Sequence, residues 1–127
     1  SFVAQKANQI KKELRSRIKT QGGIQLLIEK IDLDSADAIK NIAFEFKDTE
    51  KNILIVLGAI IKGKPGLTVA ISEDLMKAKN LNAGTIVREL AKEIQGGGGG
   101  QAFYATAGGT DVNGLEKALA KATGILG

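Results

Sequence analysis

A chain of 127 residues, 43% hydrophobic and 25% charged, has the length of one domain and the composition of a folded one. It contains no Cys and no His, which excludes disulfides, thiol nucleophiles, histidine acid–base chemistry and most zinc sites. The formal net charge of +4 is concentrated in residues 1–20, where Lys6, Lys11, Lys12, Arg15, Arg17 and Lys19 face Glu13 alone. Such a stripe is either the solvated face of a helix or a surface for an anionic partner such as RNA.

No segment reaches the roughly 20 uninterrupted apolar residues of a membrane span, and the first residues lack a secretory pattern. A cytoplasmic protein with no membrane partner is therefore expected. In chain order, Val3, Ala7, Ile10, Leu14 and Ile18 form a narrow apolar seam, predicting a basic amphipathic helix over residues 1–21. A lone helix of about twenty residues is marginal in water. The seam needs a partner: the downstream domain, a second copy of the chain, or another helix.

Gln21-Gly22-Gly23 ends that helix. In "IQLLIEKID", Ile24, Leu26 and Ile28 alternate as in a strand. Asp34-Ser35 offers an N-cap to "ADAIKNIAFEFKDT", a helix burying Ala38, Ile39, Ile42, Ala43 and Phe46. "NILIVLGAII" reads as a buried strand in which Gly58 marks a bulge or a close backbone approach. "KGKPG" is a turn and "LTVAIS" the returning strand. Ser72 caps a short helix, "EDLMKAKN", and Asn82 a longer one, "AGTIVRELAKEIQ", which buries Ile86, Val87, Leu90, Ala91 and Ile94.

Near the end, Thr110 or Asp111 caps a last helix whose apolar positions are Leu115, Leu119 and Ile125, and "AFYATA" is short enough for an edge strand. These elements predict an α/β (α+β) sandwich over residues 22–127, a small mixed sheet covered by helices, with the basic helix in front.

Enzymatic parts are missing. Ser72 and Thr110 have no activating base, and Asp32/Asp34 and Glu73/Asp74 stand where caps and first-turn acids belong. No acidic cluster has metal-site spacing. No catalytic or metal-binding residue is expected.

"QGGGGGQAFYATAGGTD", residues 95–111, holds seven of the sixteen glycines. It lacks the Lys of a Walker loop, and its glycines follow a helix rather than a strand as in a dinucleotide fingerprint. Nor is it a linker, because the residues after Gly100 are too few for a second core. Glycine belongs where backbone bends or comes close to a ligand or a neighbouring element, and its free N–H groups bind anions. Phe103 is expected in the core, and Tyr104, with its hydroxyl, at the surface where it can stack on a base.

The stretch "NAGTIVRELAKEIQGGGGGQAFYATAGGTDVNGLEKALAKA" closely resembles the C-terminal, DHH-associated domain of bacterial alanyl-tRNA synthetases. It has the Ala-Gly helix start, the Gly-rich loop, Ala-x-Ala-Gly-Gly and the final helix; the likeness extends over about residues 22–127. The resemblance implies a non-catalytic, tRNA-binding domain. It would hold the elbow of tRNA(Ala) while aminoacylation and editing domains upstream in the same chain act on it. ATP and zinc would belong to those domains, and no cofactor to this one.

RNA contact is expected from the backbone of Gly96, Gly97, Gly98, Gly99, Gly100, Gly108 and Gly109, and from Gln101, Tyr104 and Thr106. Lys11, Lys12, Arg15 and Lys19 of the first helix would attract phosphates. Gln101 stands where many synthetases carry a basic residue and DHH phosphoesterases a His, which leaves more to the backbone N–H groups. Two other readings stand beside this one: the nucleotide-binding half of a DHH-family phosphoesterase, and a homodimerisation module paired through the Val3–Ile18 seam.

Overall fold

Helix α1 (Phe2–Arg15) begins where the Ser1 hydroxyl accepts the Ala4 amide, and it stops short of the predicted end at residue 21. In its place β1 (Lys19–Gln21) turns back at Gly22-Gly23 into β2 (Ile24–Lys30). Both glycines have positive φ, +60° and +80°, the geometry of a two-residue hairpin. The glycine pair therefore reverses a strand rather than simply ending a helix. The computed structural model describes residues 1–126.

Ser35 caps α2 (Ala36–Thr49), its hydroxyl accepting the Ala38 amide. Strands β3 (Ile53–Ile61) and β4 (Lys64–Ile71) follow, joined through Lys62 and Gly63 at φ 51° and 81°. The turn is thus two residues long, and Lys64, Pro65 and Gly66, expected in it, belong to β4. Then come α3 (Glu73–Lys79), α4 (Ala83–Ala91), β5 (Gly97–Gly100), β6 (Tyr104–Gly108) and α5 (Leu115–Ala122). Short 3-10 turns at Lys92–Ile94 and Val112–Gly114 lead out of α4 and into α5.

The six strands form one mixed sheet in the order β1-β2-β3-β4-β6-β5. Only β2 and β3 run parallel, and α2 is the crossover between them. The β3/β4 register is unbroken from Leu54↔Ile71 to Ile61↔Lys64, so Gly58 marks no bulge. The other expectation for it holds: a methyl group there would lie 3.0 Å from a Leu115 methyl and 3.2 Å from one of Leu119. α5 comes that close to the sheet.

Alternation along β3 explains its continuous apolar run. Leu54 and Val56 face α3, α4 and α5, packing with Leu75, Val87, Leu90 and Leu115. Ile53, Ile55 and Leu57 face α1 and α2, packing with Leu14, Ile39, Ile42 and Phe46. A strand buried on both faces has no polar side to display. The result is the predicted sandwich, with helices on both faces of the sheet.

Helix α1 is part of this sandwich. Ile10 and Leu14 are buried in the second core, and Ala7 and Ile18 pack against it. Glu45 of α2 accepts from Lys11 at 3.1 Å and from Arg15 at 2.9 Å. The seam expected to need a partner finds one within its own chain, and Val3 alone of its five residues is left exposed.

Candidate nucleic-acid interface

Gln95 adopts left-handed backbone (φ 53°), and the Gly96 amide donates back to the Ala91 carbonyl, closing the end of α4. The glycines that follow are a strand: β5 pairs antiparallel with β6, Gly97 opposite Gly108 and Gly99 opposite Thr106. Methyl groups on Gly96, Gly98 and Gly100 would be driven into the carbonyls of Gly108, Thr106 and Tyr104. One on Gly109 would meet the Ile94 carbonyl. Close backbone packing inside the protein is what requires glycine at these four positions, and Gly96, Gly98 and Gly100 are exposed all the same. Gly97 and Gly108 face open space, and Gly99 faces a side chain, Arg88, whose Nη1 would be 3.1 Å from its added methyl.

As the last strand of the sheet, β5 has backbone N–H and C=O groups that no further strand pairs. Arg88 of α4 stands beside it, exposed and with no ion pair among the described residues. Sequence reasoning missed Arg88. Its outward position on α4, off the Ile86–Val87–Leu90 stripe, was legible, but not that this outward side borders the glycines.

Gln101 is exposed, and its backbone N–H donates to the Tyr104 carbonyl to close the β5–β6 turn. The two neighbouring aromatics exchange their expected roles. Phe103 lies in the turn, off the strand ladder, and is 37% exposed. Tyr104 is the first residue of β6, half-buried against α2 with its ring 4.9 Å from that of Phe44. Burial foremost, then the negative charge of Asp37, pushes the Tyr104 hydroxyl pKa up, so it remains a neutral donor. Thr106 follows, exposed, on the same side of β6. Tyr104, Thr106 and Gly108 border a cavity of about 560 Å³ whose floor includes Ile39, Leu57 and Thr68.

Phe44 lies off the buried Ile39–Ile42–Ala43–Phe46 stripe that marks α2 in the sequence, so no periodic signal points to it. Its ring meets Phe103 edge-on at 6.4 Å. Lys40 and Lys47, one turn before and after it on α2, lie 5.7 Å and 5.3 Å over the same ring.

The cations expected to draw phosphates are dispersed. Lys11 and Arg15 are tied to Glu45, while Lys12 is exposed with no ion pair among the described residues. Lys19 is not on the helix at all. It lies in β1, at the opposite edge of the sheet from β5, about 24 Å away at ~4.8 Å per strand. Among the described residues no group of acidic side chains could hold a metal, and no helix is long and apolar enough to cross a membrane.

A glycine edge strand beside a mixed sheet, an Ala-Gly helix start and a closing helix define a class. The DHHA1 domain family matches residues 23–127, and the chain belongs to it. Within that family the likeness to alanyl-tRNA synthetases holds. The chain is 45% identical over 125 residues to the alanine–tRNA ligase of Cytophaga hutchinsonii, covering 98% of this chain and 14% of the ligase. It is 46% identical over 126 residues to that of Christiangramia forsetii, covering 99% of this chain and 14% of the ligase. The chain thus spans about one-seventh of these relatives. The C-Ala domain of Aquifex aeolicus alanyl-tRNA synthetase shares the fold, with a TM-score of 0.75 at 23% identity over 86% of this chain and 96% of that one.

Proposed function

We propose that this domain binds tRNA(Ala) and holds its body for the aminoacylation and editing domains of an alanine–tRNA ligase, in the cytoplasm. ATP and zinc would be handled by those other domains. The observation that carries the reading is the glycine edge of β5 with the Arg88 guanidinium, unpaired among the described residues, beside it. Without side chains, an edge strand lets a phosphate backbone approach its amides closely. Arg88 adds a forked, permanently charged donor of the kind that grips phosphate.

The test is binding of a tRNA(Ala) transcript to the domain at two salt concentrations, with Arg88→Gln alongside. Affinity should fall steeply with salt, by about 0.7–0.9 in the log–log slope per phosphate contacted. Arg88→Gln should weaken binding and flatten that slope. Absent affinity at low salt would sink the reading, and an unaffected Arg88→Gln would move the interface elsewhere.

A further inference from the structure

Only five aromatic residues occur in the chain, four Phe and one Tyr. Three of them, Phe44, Phe103 and Tyr104, meet in one surface patch. Phe103 sits at the tip of the β5–β6 turn, more than a third of its surface in water. The fold gains little from an exposed Phe there, so its benefit lies in what it meets.

Lys47 lies 5.4 Å over the Phe103 ring and 5.3 Å over Phe44. Its side chain is only 13% exposed and its ammonium is held by Asp48 at 2.7 Å. That lysine is fixed, and steadies the rings through cation–π attraction rather than reaching for a ligand. Lys40 differs. It is exposed, has no ion pair among the described residues, and stands 5.7 Å over both Phe44 and Tyr104. The patch therefore pairs an exposed aromatic surface with a bordering cation that no carboxylate holds among the described residues.

We propose that Phe103, backed by Phe44 and Lys47, is a stacking platform for an unstacked RNA base, with Lys40 taking the adjoining phosphate. This rests on the tRNA-binding reading and specifies part of its interface. Every base offers a flat π-face, and alternation of aromatic and cationic groups follows the alternation of base and phosphate along a strand. Bases inside an A-form helix are covered by their neighbours, so the platform selects nucleotides in loops or ends. An apolar side chain of a protein partner would use the rings but leave Lys40 without a counter-charge, which is why RNA is the occupant favoured.

The chain has no Trp, so Phe103→Trp installs a single indole reporter at the platform. Titrated with a tRNA(Ala) transcript, and separately with a short single-stranded RNA, this variant should have its indole emission quenched as a base stacks on it. Phe103→Ala should lose about fivefold to a hundredfold in tRNA affinity, the effect of one lost base stack. That loss should persist at high salt, whereas the smaller loss in Lys40→Gln should fade. Circular dichroism confirms that each variant is folded. Unchanged emission on RNA binding, or a folded Phe103→Ala that binds tRNA normally, overturns the platform and leaves the surface to a protein partner, while domain–tRNA binding stands. Failure of the unsubstituted domain to bind either RNA removes the underlying reading instead.

Discussion

Gly98 sits against Thr106 so closely that a methyl group on its α-carbon would be driven into the Thr106 carbonyl oxygen and lie 2.5 Å from the Ala107 α-carbon. One residue earlier, Gly97 has no neighbour within 4 Å of the same position. Adjacent glycines of one strand thus answer to different constraints. Overpacking against rigid backbone costs about 1–3 kcal/mol, so Gly98→Ala should lower unfolding free energy by at least that much. Gly97→Ala should stay within about 0.5 kcal/mol of the parent, as exposed substitutions do. Urea denaturation of the two variants measures the difference. Equal stabilities would show that β5 does not pack on β6 as described.

The same contrast shows what could be read from the sequence. The sandwich, its amphipathic helices and the buried strand were legible, because Ile39–Phe46 repeat with the helical period and Ile53–Leu57 form the unbroken apolar run of a strand covered on both faces. The glycine stretch was legible as folded, but not as a strand, because glycines carry no alternation to read. β1 escaped for a related reason: three exposed residues, Lys19–Gln21, have no buried face and look like the tail of a basic helix. At the site, Tyr104 and Thr106 were nameable from their position after the glycines. Arg88, Phe44 and Lys40 were not, since they reach the hairpin only through packing of α4 and α2 across the sheet.

Glu45 should make the docking of α1 dependent on pH. Hydrogen bonding from Lys11, partly offset by desolvation and assisted by Arg15, holds its carboxyl below the usual value of 4.5. A carboxylate lowered on folding stabilises the native state above its unfolded pKa, and that contribution is lost as pH falls through the folded value. The stabilisation is therefore complete at neutral pH, begins to decline below about pH 4.5 and is lost as pH falls through the lower folded value. Because Glu45 is partly exposed, about 0.5–1 kcal/mol is expected. Glu45→Gln should melt earlier than the parent at pH 7, and the two melting curves should converge in acid.

Gly58 and Leu115 should be energetically coupled. Leu115 is 1% exposed, and its methyl would be 3.0 Å from any methyl placed on Gly58. Leu115→Ala alone should cost about 2–5 kcal/mol through the cavity it leaves. Gly58→Ala alone crowds α5 and costs about 1–3 kcal/mol. Combined, the added methyl occupies part of the vacated space, so the double variant should be more stable than the two losses predict by about 0.5 kcal/mol or more. Strict additivity in the denaturation cycle would contradict the close approach of α5 to β3.

Among the cations, Arg88 should matter more to tRNA than the basic residues near the N-terminus. Lys11 and Arg15 already share Glu45, so engaging phosphate would mean giving up an internal partner. Lys19 stands at the opposite edge of the sheet from the glycine strand, so RNA seated on β5 would have to span the whole sheet to reach it. A hydrogen bond involving a charged group contributes about 1.5–3 kcal/mol, which makes Arg88→Gln about tenfold or more weaker. Lys19→Gln should remain within about twofold, and Lys11→Gln should show its effect in melting temperature rather than in affinity. Filter binding and thermal denaturation on the three variants separate these outcomes. A larger loss from Lys19→Gln than from Arg88→Gln would place the RNA on the β1 side of the domain.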